Sequence, residues 1–161
     1  MIVVSNTTPL IGFAAIGRFE LLQQLFGEIS IAHAVYEEAV TAGREQGGAK
    51  REVSTAPWIH TVRVQDRLAV ERLLPDLDLG EAETIVLAQT LGAQWVLMDE
   101  RKGRRHLTQL GIAKVGTVGL LLNAKHRGLI PALRPELERL QQDGFRLSPE
   151  MWEAVLQEAH E

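Results

Sequence analysis

The chain has 161 residues, of which 45% are hydrophobic and 24% charged, a balance typical of one globular domain with a sizeable core. It contains no cysteine, which excludes a thiolate nucleophile, a disulfide framework and a cysteine-ligated zinc site. The longest uncharged apolar run, residues 115–124, is too short to cross a bilayer, and the first residues lack the pattern of a signal peptide. We therefore expect a single cytoplasmic domain over residues 1–161 with no membrane association.

In chain order, short apolar β-type runs alternate with helix-like segments. The predicted strands lie at 2–5, 29–31, 59–64, 94–98 and 112–115. The predicted helices lie at 10–15, 19–26, 33–42, 65–74, 78–91, 101–110, 116–127, 131–142 and 149–159, with a loop and a short helix in 43–56. This alternation predicts an α/β fold, a three-layer α/β/α sandwich around a central, mostly parallel sheet of four to five strands, with C-terminal helices at about 131–161.

Two helix starts carry capping signals. Thr8 and Pro9 predict a helix with Thr8 as its cap and Pro9 at the first helical position. Asp78 and Glu81 have the spacing of a capping box at the start of the clearest helix in the chain.

The net charge of −4 is distributed unevenly. The eight basic residues between Arg101 and Pro135 have no acidic residue among them: Arg101, Lys102, Arg104, Arg105, Lys114, Lys125, Arg127 and Arg134. Such a block suggests a phosphate-bearing partner, although a solvated helix face explains it as well.

Three carboxylates are placed where an α/β site would form, at strand ends and on the inner faces of nearby helices. Asp99 directly follows the most convincing strand, and it also suits a helix cap. Glu38 shares a helical stripe with Ala34 and Val35, where a buried salt bridge is the alternative to a functional role. Glu81 is in register with the buried side of its helix, and completing the capping box is its alternative role.

Clustered carboxylates repel one another unless a cation joins them. Mg²⁺ or Mn²⁺ is the economical cation, because both prefer oxygen ligands and need neither cysteine nor histidine. Asn6 occupies the first strand end, where its amide oxygen could coordinate a metal or where it could simply form a turn. Thr8 and the amides of the following helix could hold a phosphate or a water, or only cap the helix.

The chain resembles the PIN domains, and most closely the largely uncharacterised bacterial and archaeal branch of predicted nucleic-acid-binding PIN proteins. The stretches that carry this resemblance are residues 4–11, 34–38, 79–85, 98–105 and 116–119. No stretch is decisive alone, but their order and spacing together are fairly specific, and they cover nearly the whole chain. No Gly-x-x-x-x-Gly-Lys-Ser/Thr phosphate loop and no Gly-x-Ser-x-Gly nucleophile motif competes with this interpretation.

The resemblance implies an endoribonuclease that gathers acidic residues around one or two Mg²⁺ or Mn²⁺ ions. Carried over position by position, the catalytic and metal-binding set is Asn6, Glu38, Glu81 and Asp99, with Thr8 beside it and Glu83 as the alternative to Glu81. Many relatives are toxins of VapC type, usually homodimeric and paired with a small antitoxin. The expected RNA-backbone contacts are Arg101, Lys102, Arg104 and Arg105.

Asn6 departs from the family pattern, which has an aspartate at this position. The loss of one negative charge is expected to lower metal affinity and weaken catalysis. Three accounts stay open: a weakened nuclease, a catalytically silent relative, or an introduced change that permits expression of a toxic protein. The silent relative would be an RNA-binding or antitoxin-pairing module that uses residues 101–127, and such a binder would tolerate a chelator.

Overall fold

The computed structural model describes residues 1–41 and 49–161. Within these residues one sheet has five strands, all parallel, in the order β3-β2-β1-β4-β5. The strands are β1 (Val3–Ser5), β2 (Ile29–Ala32), β3 (Ile59–Val62), β4 (Trp95–Leu97) and β5 (Lys114–Val115). This arrangement confirms the predicted α/β fold with a parallel sheet flanked by helices.

Helices precede or follow every strand. In the described residues they are α1 (Thr7–Ala15), α2 (Glu20–Phe26), α3 (His33–Tyr36), α4 (Lys50–Thr55), α5 (Arg67–Leu73), α6 (Leu79–Leu91), α7 (Arg101–Gln109), α8 (Thr117–His126), α9 (Arg134–Gln142) and α10 (Pro149–Glu158). None of them is long and apolar enough to cross a membrane.

The centre of the sheet is apolar because both of its faces are covered. Val4 and Val96, which pair across β1 and β4, are fully buried. The strand order reverses direction at β1, since β2 and β3 extend the sheet on one side and β4 and β5 on the other. In open α/β sheets the cleft beside the carboxyl ends of two such strands is the usual place for a ligand.

The first helix begins two residues earlier than predicted. Asn6, not Thr8, occupies the N-cap position of α1, so the expectation of a Thr8 cap is wrong. The backbone N–H of Asn6 donates to the carbonyl of Leu97 at 2.9 Å, which ties the residue after β1 to β4. This sheet-like bond holds Asn6 in an extended conformation and leaves Thr7 to start the helix.

The predicted helix over 33–42 is interrupted. Its first turn, α3, continues into a π-helical turn over Glu37–Thr41. A π-turn closes i→i+5 hydrogen bonds and therefore shifts the faces that a 3.6-residue period predicts. Glu38 is consequently exposed as a residue, and its predicted place on the buried stripe is wrong. The end of this helix at 42 and residues 43–48 of the predicted loop lie outside the described residues, whereas α4 supplies the short helix predicted within 43–56.

The capping box of α6 is present as predicted. The N–H of Glu81 donates to Asp78 Oδ1 at 2.8 Å, and the N–H of Asp78 donates to Glu81 Oε1 at 3.1 Å. At the other end, Gly92 adopts the left-handed conformation, φ 64°, that favours glycine at a helix C-terminus. The box fixes where Glu81 stands relative to the sheet.

Candidate active site

The site is organised around Asn6 and Glu100, which follow the two neighbouring strands β1 and β4. Asn6 is buried, with 3% of its surface exposed. Its Nδ2 donates to Glu100 Oε2 at 2.9 Å and also lies 3.4 Å from Met98 Sδ. Its Oδ1 is buried and accepts no hydrogen bond from the described part of the chain. An unpartnered buried acceptor is costly, so this oxygen is available to an incoming donor or cation.

Glu100 is a site residue that the sequence analysis missed. Besides the Asn6 amide, its carboxylate accepts a hydrogen bond from the Thr8 hydroxyl. The sequence contained a usable signal, because Asp99 and Glu100 are consecutive after a strand and consecutive side chains leave a strand on opposite sides. The structure brings together Asn6, Thr8 and Glu100, two of which were predicted to be site residues.

Glu38 reaches the site edge from the π-helical turn. Its Oε2 accepts a hydrogen bond from the Thr7 hydroxyl at 2.6 Å. Burial of its carboxylate and the nearby charges of Asp78 and Glu100 raise its pKa above the usual range, and the Thr7 hydrogen bond partly opposes this. Although the residue as a whole is exposed, its carboxylate interacts electrostatically with those of Asp78 and Glu100.

Glu81 is the most strongly perturbed carboxylate of the group. It lies in the first turn of α6 with 8% of its surface exposed. Burial, followed by repulsion from Asp78 and Glu100, raises its pKa to about 7. A nearby cation would stabilise the ionised form of a carboxylate whose pKa is raised in this way. Carboxylates with raised pKa values are common at functional sites.

Glu83, the alternative to Glu81, has structural partners on both oxygens. Its Oε1 accepts from the backbone N–H of Ala34 at 3.0 Å, and its Oε2 pairs with Arg67 Nη1 at 2.8 Å. With 4% of its surface exposed, Glu83 is buried like Glu81. These bonds join α6 to α3 and α5 and leave Glu81 as the better candidate ligand.

Asp99 directly precedes Glu100, but its carboxylate contacts a different part of the structure. Its Oδ1 accepts from the backbone N–H of Thr117 at 2.8 Å and its Oδ2 from the Thr117 hydroxyl at 2.6 Å. Burial raises its pKa, and the two Thr117 hydrogen bonds oppose that effect. In this arrangement Asp99 caps α8 and is not hydrogen-bonded to the Asn6–Glu100 group.

The predicted basic patch is divided between two faces of α7. Lys102 and His106 turn toward Asp76, with Lys102 Nζ 3.7 Å and His106 Nε2 2.8 Å from its carboxylate. Arg101 and Arg105 are exposed at the surface, and Arg104 Nη1 donates to the carbonyl of Met98 at 2.9 Å. Arginines 101, 104 and 105 are spaced three and four residues apart and therefore share a face.

The donor types in the site suit a hard divalent cation. The available atoms are carboxylate oxygens and the orphaned amide oxygen of Asn6, which are the ligands that Mg²⁺ and Mn²⁺ prefer. In residues 1–41 and 49–161, however, no three histidine, aspartate or glutamate side chains are arranged to hold one ion together. The carboxylates are instead bound to hydroxyl, amide and backbone donors of the protein.

A comparison with models of protein families shows to which family the chain belongs. The model of the DUF3368 family, described as a PIN domain, matches residues 2–161. The chain belongs to this PIN-domain family. A search among curated proteins finds no match. Membership confirms the resemblance identified from the sequence, and PIN domains typically bind divalent metal ions. The resemblance predicted that Asn6 stands at the position of the family's leading aspartate, and the structure places Asn6 beside Glu100.

Proposed function

We propose that this PIN domain is a metal-dependent endoribonuclease that hydrolyses RNA phosphodiesters, with activity weakened by Asn6. One observation carries the proposal: the buried, unpartnered Oδ1 of Asn6 lies beside the carboxylate of Glu100 between the ends of β1 and β4. The raised pKa values of Glu38 and Glu81 support it, because burial and the charges of Asp78 and Glu100 disfavour their ionised forms, an effect that a bound cation would oppose.

The residues that would hold Mg²⁺ or Mn²⁺ are Asn6 through Oδ1 and the carboxylates of Glu38, Glu81 and Glu100, with Asp99 as a further ligand. When bound, such an ion supplies an activated water and neutralises charge on a phosphoryl oxygen. Binding requires the carboxylates to exchange their present donors for the ion, notably the Thr7 hydroxyl at Glu38.

The chain's own groups would divide the remaining work. Thr8 and the Asn6 amide orient the Glu100 carboxylate through their hydrogen bonds. Glu81, with its pKa about 7, can give up a proton near neutral pH, so cation binding and deprotonation are coupled there. The exposed face of α7 with Arg101 and Arg105 would attract the RNA backbone, because phosphate contacts dominate nucleic-acid affinity.

Asn6 would weaken this centre in two ways. Its amide supplies an acceptor oxygen but no negative charge, so the attraction to a divalent cation falls. Its Nδ2 also occupies one oxygen of Glu100, which an aspartate at this position would leave free. These two effects favour a slow nuclease over one that matches relatives with an aspartate.

The second candidate is a catalytically silent RNA-binding or antitoxin-pairing module. The observation that favours it is that the described residues present no ready-made group of three ligands for one ion. A small antitoxin and a second copy of the chain are proposed partners of either form, by analogy with VapC-type relatives.

The deciding experiment is RNA cleavage with Mn²⁺ by three proteins: the chain as it stands, Asn6→Asp, and Asn6→Asp combined with Glu100→Gln. We expect Asn6→Asp to cut several-fold faster than the unaltered chain, and the double variant to be inactive. Mn²⁺ binding by calorimetry, run in parallel, should follow the same order. If no protein cuts or binds Mn²⁺, the nuclease proposal fails and the silent module is preferred.

A further inference from the structure

A cavity of about 520 Å³ lies beside the candidate active site, and the proposed function does not use it. It is bounded by the start of α8, the segment that joins α9 to α10, and α10 itself. We call it the C-terminal cleft; its apolar walls include Val118, Phe145, Leu147 and Met151. Its volume is in the range of pockets that take small organic groups.

Two glycines of the cleft lining, Gly116 and Gly119, are closely packed against neighbouring side chains. A β-carbon on Gly119 would lie 2.9 Å from Val115 Cγ2, and one on Gly116 would lie 2.7 Å from Asp99 Oδ1. The half-buried ring of Phe145 forms part of the wall. An apolar cavity with an aromatic side chain in its wall can receive a planar ring.

Three basic side chains also line the C-terminal cleft: Arg104, Lys114 and Arg146. None of the three forms an ion pair with any residue in the described ranges, 1–41 and 49–161. The two acidic residues of the lining are Asp99, whose oxygens are taken by Thr117, and Glu158 on α10. The lining thus carries one more basic than acidic residue in a chain of net charge −4, and Lys114 and Arg146, which form no ion pair within residues 1–41 and 49–161, favour an anion there.

The C-terminal cleft adjoins the candidate active site at Asp99. Asp99 lines it, and the next residue, Glu100, is bonded to Asn6 and Thr8. Arg104 is held at the boundary by its hydrogen bond to the Met98 carbonyl. An RNA strand that passes from Glu100 across Asp99 would therefore reach the cleft.

We propose that the C-terminal cleft binds one unpaired base of single-stranded RNA, next to the phosphate at the carboxylates. The base stacks on Phe145, and Arg104, Lys114 and Arg146 contact the adjoining phosphates. This inference rests on the proposed function for the class of ligand. Single-stranded RNA fits better than an acidic peptide, because a planar base can occupy the apolar cavity beside Phe145 while its phosphates meet the basic side chains.

The test measures binding of a short single-stranded oligoribonucleotide that carries 5-iodouridine, in EDTA, so that no cleavage occurs. Phe145→Ala should weaken binding about 5- to 100-fold, the range found for loss of one stacked base. Arg146→Ala should weaken binding and lower the salt slope by about one, whereas the matched control Arg72→Ala, outside the cleft, should change neither. Ala154→Trp, which fills the cleft from the exposed side of α10, tests the same pocket if Phe145→Ala does not fold.

Irradiation cross-links the iodinated base to the residue beside it and so locates the bound base without a measurement of affinity. We expect the cross-linked peptide to contain Phe145. Cross-links elsewhere, together with unchanged binding by Ala154→Trp, would overturn the inference even if the chain cleaves RNA. Binding and cross-linking at Phe145 without any cleavage would support the cleft while the nuclease proposal fails. Binding of an acidic peptide in preference to RNA would also overturn it.

Discussion

The carboxylate of Glu38 occupies the space that a side chain on Gly80 would need. A β-carbon on Gly80 would lie 2.2 Å from Glu38 Oε1, far inside van der Waals contact. Gly80 is the second residue of α6, so the absence of its side chain lets a carboxylate from the π-helical turn approach the helix that carries Glu81. The glycine therefore lets the Glu38 carboxylate pack against the first turn of α6, next to the residue that precedes Glu81.

Gly80→Ala is expected to keep the fold and to impair the site. Alanine is favoured over glycine in a helix by up to about 1 kcal/mol, and the displaced atoms are the mobile end of Glu38. We expect Mn²⁺ affinity, measured by calorimetry, to fall about tenfold because Glu38 must move away. The control is Gly12→Ala in α1, whose added carbon would meet Thr117 Cγ2 at 3.4 Å. Equal Mn²⁺ affinity in both variants would contradict a role for Glu38 in the site.

Asn6→Asp is expected to make the stability of the chain depend on a divalent cation. Without metal, the new carboxylate faces Glu100 and loses the Nδ2 hydrogen bond of 2.9 Å, so the variant should unfold at a lower temperature in EDTA than the unaltered chain. With Mn²⁺ the order should reverse, because a ligand that binds only the folded state stabilises it. Thermal unfolding followed by circular dichroism in the two buffers measures this. A variant that melts identically in both would count against a metal ligand at this position.

The pKa of Glu81 predicts a fall in stability between about pH 4.5 and pH 7. The folded state raises this pKa from 4.5 to about 7, so in that window the folded protein binds more protons than the unfolded chain. The free energy of unfolding therefore decreases as the pH rises through it. Glu81→Gln, which can keep the hydrogen bond from Asp78, should flatten this dependence and melt about 2 to 4 °C higher at pH 8.

The control for the pH experiment is Glu71→Gln on the exposed face of α5, which should retain the slope. Added Mn²⁺ should oppose the loss of stability above pH 7, since the ion binds the deprotonated carboxylate. A slope that persists in Glu81→Gln would assign the proton uptake to another group.

Glu83→Ala is expected to destabilise the fold without removing the site. The change leaves the Ala34 N–H and Arg67 without their buried acceptor, which should lower the free energy of unfolding by about 2 to 3 kcal/mol. Urea unfolding measures this loss, with Glu71→Ala as the exposed control. Mn²⁺ affinity at a temperature where the variant is folded should match that of the unaltered chain. A large loss of affinity would instead make Glu83 the ligand in place of Glu81.

The sequence by itself determined the alternation of strands and helices, the capping box of α6 and the candidate positions at strand ends. These features depend on residues close together in the chain, such as Asp78 and Glu81, whose spacing alone specifies their hydrogen bonds. Family membership was also readable from the order of short stretches along the chain.

Only the tertiary structure decided which side chains contact each carboxylate. The π-helical turn moved Glu38 off the predicted stripe, because a single wide turn changes every later face of a helix. Glu83 has a structural role because its carboxylate pairs with Arg67, sixteen residues away in the chain. Glu100 and Asn6 are hydrogen-bonded although ninety-four residues separate them in the chain. Such contacts depend on which strands lie next to each other in the sheet. A local sequence pattern does not specify that spatial order.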